Sequence, residues 1–304
     1  MKKKIFVTGG AGFIGSAIIK RLQELHHEVL VFDNLSFGSR KFINIADSHF
    51  VQGDILDKVA LKTAMHQFSP DYVLHLAAIH FIPYCNEHPF ESANINITGT
   101  KNVLEICQEL PRLEKILFAS TAAVYPIYEM AISETLEPAP SDIYGLSKLV
   151  GEELCKKFHL ESGIPVIICR FFNAFGPNET NPHLIPAIQQ QVQNGARIIK
   201  LGNTEPKRDF IHTYDMAEAV QLLLRQFDKG IDIFNLGRGI EYSVLEVTAA
   251  FEKALGEKIT VEIDPGRVRK SDRLHLLANI DKLSLFSGWK PMISIENGIK
   301  TMVQ

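Results

Sequence analysis

Cysteine is scarce and scattered in this chain. Its four copies, Cys85, Cys107, Cys155 and Cys169, form no CxxC pair and no dense cluster, which argues against a disulfide framework or a thiolate zinc site and fits a reducing cytoplasm. Charge of one sign is missing too: 32 basic against 35 acidic side chains leave a formal net charge of −3, so no basic field is present to hold nucleic acid. Long apolar runs are lacking, with none reaching 18 residues, so no membrane-spanning helix is expected. The start, MKKKIFVTGGAGFIGSAII, has the flank of a signal peptide, but Thr8-Gly9-Gly10 interrupts its apolar stretch. Eleven histidines show no HxxxH or HxH spacing with acid partners, so no metal site is expected, and His75 reads as a packed residue at a strand end. Repeats and low-complexity segments are also absent.

What is present is the composition of a globular protein, 46% apolar and 22% charged over 304 residues. Short apolar runs at Lys4 to Thr8, Glu28 to Phe32, Tyr72 to Leu76, Lys115 to Ser120, Val166 to Arg170 and Asp232 to Leu236 alternate with stretches of helical period near 13–25, 57–67, 90–110, 143–162 and 214–227. A third short strand before Gly53 fits the same alternation. This predicts an α/β fold: a Rossmann-type doubly wound parallel sheet with a smaller mixed α/β C-terminal substrate lobe. The sheet domain is expected over 1–173 plus about 207–237. The lobe is expected over about 174–206 plus 238–304, with a helix at 243–255, a strand at 258–263 and a closing helix after Ser294.

Gly9, Gly12 and Gly15, with Phe13 and Ile14 between the last two, follow the first strand and open a helix. Glycine suits this place because a side chain would hold a pyrophosphate away from the backbone N–H groups at the positive end of the helix. Asp33-Asn34 follows at the end of the second strand, where a carboxylate binds the ribose hydroxyls of NAD and repels the extra phosphate of NADP. Arg40 stands near enough in sequence to keep NADP open. Asp54 and Ile55 of the GDI turn suit a place beside the adenine; an ordinary strand-end turn fits nearly as well.

Tyr144 and Lys148 sit four apart, on one face of a helix. A tyrosine with a pKa near about 10 is a poor base at neutral pH; a cation beside it favours the phenolate and makes it a general base. Such a pair is common by chance, but Ser120 and Thr121 end a central strand, whose carboxyl end faces the ligand crevice of such sheets. The basic residues Lys207, Arg208, Arg267, Arg269, Lys270 and Arg273 suit a small anion, with solvated surface charge the commoner explanation.

With VTGGAGFIG, Asp33, GDI, HLAA, NITGT, STAAVY, YGLSK, RFFNAFGP, KRDFIH, NLG and RKSD in this order, the chain resembles the extended short-chain dehydrogenase/reductases that act on nucleotide sugars, most closely the UDP-glucose/UDP-galactose 4-epimerases. The resemblance implies NAD as cofactor, a UDP-sugar as substrate and a homodimer paired through the helices near 90–110 and 143–162. It makes Tyr144 and Lys148 the catalytic pair and Thr121 the hydroxyl bonded to the sugar O4. It places Leu76, Ala77, Ala78, His80, Asn96 and Ser120 near the cofactor, His80 standing where such epimerases often have lysine. Asn173, His183, Leu184, Arg208, Arg269 and Asp272 then hold the nucleotide, and Leu276 gates the sugar pocket.

The implied reaction is epimerisation at C4 through a transient 4-keto sugar, on a glucose, an N-acetylhexosamine or a uronic acid whose carboxylate would meet Arg273 or His80. Dehydratases of similar sequence carry Asp-Glu after the threonine, and related decarboxylases a glutamate nearby; here stand Ala122-Ala123, which can neither give nor take a proton. A 4-keto-sugar reductase and a non-catalytic NAD-binding regulatory protein are the remaining alternatives.

Overall fold

The computed structural model describes residues 2–268 and 273–303. The first half of the chain runs β1 (Lys4–Thr8), α1 (Phe13–Glu24), β2 (Glu28–Asp33), β3 (Phe50–Gln52), α2 (Lys58–Phe68), β4 (Tyr72–His75), α3 (Ile82–Glu87), α4 (Pro89–Ala93), α5 (Gly99–Cys107), β5 (Lys115–Thr121), α6 (Ile143–Ser162) and β6 (Val166–Phe171). There follow β7 (Asn173–Phe175), α7 (Leu184–Gln193), β8 (Ile198–Leu201), β9 (Lys207–His212), α8 (Thr213–Gln226), β10 (Ile231–Leu236), β11 (Glu241–Ser243), α9 (Val244–Leu255), β12 (Thr260–Ile263), α10 (Asp281–Ser287) and α11 (Ile295–Val303).

Seven strands form one parallel sheet in the order β3-β2-β1-β4-β5-β6-β10. The expected doubly wound α/β sheet is therefore present, and its order reverses between β1 and β4. Strand side chains alternate between two cores, as the two-residue period requires. Val29, Val31, Leu117 and Ile167 join the core under α1 and α8, whereas Leu30, Phe32, Ile116, Phe118 and Ile168 join the one under α2, α5 and α6. Helix boundaries follow cap chemistry. Asp57 accepts from the N–H groups of Val59 and Ala60 at the start of α2, Ser243 and Glu246 close a capping box on α9, and α6 ends at Gly163 with φ 70°.

A separate core gathers Phe175, Ile185, Ile188, Ile199, Phe210, Val247, Phe251 and Ile299. Its sheets are small: β7 lies parallel and β11 antiparallel to β9, and β8 pairs with β12 in parallel. The single helix expected at 90–110 is instead α4 and α5 joined by a π-helical turn over Asn94–Thr98. That wider turn carries Asn96 inward, where its amide bonds both backbone groups of Ile79. Among the described residues, no helix is long and apolar enough to cross a membrane.

Candidate active site

The carboxyl ends of the central strands open into a cavity of about 1490 Å³ that runs from Gly9 and Asp33 past Thr121 and Tyr144 to Arg208. This exceeds the roughly 300–1,000 Å³ of a pocket for one drug-sized ligand. It lies where the strand order reverses, the place at which a parallel sheet leaves a crevice.

The three cradle glycines are needed for different reasons. Gly9 has φ +71°, and a Cβ there would stand 2.6 Å from the amide nitrogen of Ala77; one on Gly15 would stand 2.4 Å from the carbonyl oxygen of Gly9. Both shape the turn and its packing. Only Gly12 meets nothing closer than that carbonyl, at 3.3 Å, and it lines the cavity with Phe13 and Ile14. Here a side chain would occupy space that the first turn of α1 offers to an anion. Asp33 accepts from the N–H of Ala11 at 2.9 Å and of Leu35 at 2.8 Å, and burial pushes its carboxyl above the ordinary range. Asn34 donates to Asp54 at 2.9 Å, so the two residues expected at the adenosine end meet there, with Ile55 beside them in the wall. Arg40 is engaged elsewhere: its guanidinium bonds the carbonyls of Ile43 and Ile45 and lies over Phe50. An open glycine at a helix start, a carboxylate at the next strand end and a crevice at the reversal together fit NAD.

At the carboxyl end of β5, Thr121 accepts from the N–H of Ala123 at 3.1 Å, and a short turn carries Ala122 and Ala123 along the cavity wall. Helix α6 starts against this turn because residue 145 is glycine, a Cβ there standing 2.3 Å from the Ala123 carbonyl oxygen. Asp142 caps the helix by accepting from the Gly145 N–H at 2.7 Å. This close seating brings the Tyr144 phenol to the Thr121 hydroxyl, and that contact favours the phenolate. Burial outweighs it and pushes the phenol well above its ordinary pKa.

Lys148 shares the helix face with Tyr144, yet its ammonium lies 4.1 Å from the centroid of the Phe118 ring, in the field of Glu152 one turn on. Burial pulls it down to about 8. The expected lowering of the tyrosine by its lysine is therefore not what the chain alone produces: burial, Thr121, Cys85 and Asp142 are the influences on the phenol.

Of the other expected residues, Leu76, Ala77, Ala78, His80, Ser120, Asn173, His183, Leu184, Arg208, Arg273 and Leu276 all line the same cavity. Asn96 does not; it is 1% exposed and donates to Ile79 and to Ser147 at 3.0 Å behind the wall. Arg269 and Asp272 lie outside the described residues. Ser120 donates to Glu152, which also takes two bonds from Arg170, and none of the three is more than 2% exposed. This buried ion pair escaped the sequence reading, since only the i, i+4 spacing of Lys148 and Glu152 hints at it. His75, the packed residue expected, is bonded to Thr8 and Thr100, and burial holds it down to about 3. No three acidic, histidine or cysteine side chains among the described residues are grouped to hold a metal ion.

The model of the NAD dependent epimerase/dehydratase family matches residues 5–237. A UDP-glucose 4-epimerase of Halalkalibacterium halodurans is 33% identical over 320 residues, covering 99% of this chain and 93% of the relative. The crystal structure of a Thermus thermophilus UDP-glucose 4-epimerase in complex with NAD superposes with a TM-score of 0.89 at 30% identity, over 99% of this chain and 97% of that one. A UDP-N-acetylglucosamine 4-epimerase from Methanobrevibacter ruminantium, in complex with UDP-N-acetylmuramic acid, gives 0.89 at 29% identity over 100% and 98%.

Proposed function

Because the chain belongs to the NAD dependent epimerase/dehydratase family, we propose that it inverts C4 of a UDP-sugar, with NAD as a resident cofactor. One observation carries this reading: the glycine cradle, the Thr121–Tyr144–Lys148 group and Arg208 share a single cavity. Gly12 and the first turn of α1 receive the pyrophosphate, Asp33 the adenosine ribose, and Asn34, Asp54 and Ile55 flank the adenine. Lys148 orients the nicotinamide ribose. Bound there, NAD would supply a hydride acceptor and donor for C4 of the sugar and the positive charge of its oxidised ring.

Tyr144 is the base that takes the proton from the sugar O4, and Thr121 holds that oxygen by a hydrogen bond. Since burial keeps the phenol protonated in the chain alone, it becomes a base only when positive charge is brought beside it. The resulting 4-keto sugar turns about its link to the diphosphate, and Tyr144 gives the proton back to O4 after the opposite face has been presented. Asn173, His183, Leu184 and Arg208 hold the nucleotide through this turn, with Arg269 and Asp272 in the same role by family resemblance.

The wall at Ala122-Ala123 offers only methyl groups, which supports epimerisation over elimination at C5 and C6. Leu276 lines the sugar end, and its size leaves room for an N-acetyl group. The free thiols are all buried, in keeping with a cytoplasmic setting. A homodimer through α4, α5 and α6 fits the exposure of Phe90 at 90% and Leu160 at 80%. The deciding experiment is incubation of the purified protein with UDP-glucose, UDP-N-acetylglucosamine and UDP-glucuronate separately, with products resolved by NMR. A C4-inverted product of unchanged mass is expected; loss of water or of carbon dioxide would replace this reading by dehydration or decarboxylation.

A further inference from the structure

Residues 176–183 run over the dinucleotide end of the cavity and touch three separate segments. Asn178 donates to Ser16 in the first turn of α1 at 3.2 Å, Thr180 donates to the carbonyl of Phe37 at 3.1 Å, and the Asn181 amide meets Nε2 of His80 at 3.1 Å. The loop 36–39 beneath is itself pressed on the cradle: the Ser39 N–H donates to the Ala11 carbonyl at 2.9 Å, and Gly38 has no room for a Cβ there. Within the crossing segment Asn178, Thr180 and Pro182 are the more open positions, whereas Asn181 is 6% exposed. It is the side chain that turns inward, and what it meets is a histidine 101 residues earlier.

The geometry also says what His80 does. Its Nε2 accepts from Asn181, which leaves the ring proton on Nδ1, and the backbone of Ala78 lies close enough to favour that proton. With Nε2 taken by Asn181, that nitrogen has no N–H to offer a phosphate. Burial lowers its pKa and keeps the ring neutral. Glu179 braces the segment from inside, accepting from the Asn181 N–H at 2.9 Å and pairing with His183 at 3.2 Å. The His183 ring rests against Phe81, centroids 5.4 Å apart.

We propose that residues 176–183 form a strap closing the dinucleotide cleft and that the His80–Asn181 hydrogen bond is its latch, so that these two positioning residues set how long the cofactor stays bound. This rests on the reading of the cleft as an NAD site. The test loads the full-length protein with NADH, chases with excess NAD and follows the loss of bound NADH fluorescence. Asn181→Ala and His80→Ala are each expected to speed release about fivefold, the worth of one hydrogen bond, and the double variant to be no faster than either. Asn181→Leu, which removes the donor at similar size, should do the same with the packing kept. Unchanged release in the Asn181 variants overturns the proposal, as does acceleration by His80→Ala alone, which would mean direct contact between His80 and cofactor. A wild-type protein that takes up no dinucleotide would instead sink the cofactor reading itself.

Discussion

At Tyr144 burial opposes the role of base proposed for the phenol. The phenol is pushed up by its surroundings, so the work expected of it has to be switched on by the charge of a bound partner. Tyr144→Phe is expected to lower conversion about 10²- to 10⁴-fold, the usual worth of a positioned acid/base group, with NAD content measured on the same preparation unchanged. Lys148 gives a second test. Its ammonium should titrate with a midpoint near 8, visible by NMR on isotopically labelled lysine in the cofactor-free protein. Below that midpoint the lysine is charged both folded and unfolded. Between about 8 and the ordinary value of 10.5 the unfolded chain holds the extra proton, so this group's contribution to stability rises with pH. Activity that needs the ammonium falls over the same range. The cradle separates likewise: Gly12→Ala should fold and bind NAD weakly by calorimetry, whereas Gly9→Ala should lower the melting temperature, because its Cβ strikes Ala77 at positive φ.

Between elements, the tie of interest is the buried pair that joins α6 to β6. Glu152 and Arg170 are bonded at 2.9 and 2.6 Å and are at most 2% exposed. Replacing one partner, as in Glu152→Gln or Arg170→Met, leaves a charge in the core and should cost about 3–5 kcal/mol in denaturant unfolding. The double replacement should recover much of that loss; a strictly additive cycle would show that the pair does not couple. Neither residue announces itself in the sequence, and the reason is general. Alternating apolar runs and the GxxGxxG turn are local patterns, so the sheet, most of its crossover helices and the glycine turn that opens α1 were legible. Asn96 turned into a π-helical bend, Asn181 clasped to His80 and Ser120 bonded to Glu152 are contacts between distant segments, which no spacing encodes. The helix α7 escaped for another cause: a stretch rich in Pro and Asn, FGPNETNPHLIP, runs over its start.

For the whole molecule, the expected homodimer makes a direct prediction. Phe90 stands 90% exposed on α4, beside α6, a position that a partner copy would cover. Phe90→Asp should convert a dimer in sedimentation equilibrium to a monomer while leaving the melting behaviour of the single chain near that of wild type; a wild-type protein that sediments as a monomer would remove the expectation. The order of the strands carries a consequence for how the chain is made. On the ribosome, residues 173–201 emerge long before their packing partners in α9, β12 and α11, which end at Val303. Until residues 244–303 have emerged, Ile185, Ile188 and Ile199 lack the partners in α9, β12 and α11 that complete their core. Synthesis thus passes through a stage in which a nearly complete sheet carries an unsatisfied apolar segment, and a truncation of the final helix would prolong that vulnerable stage indefinitely.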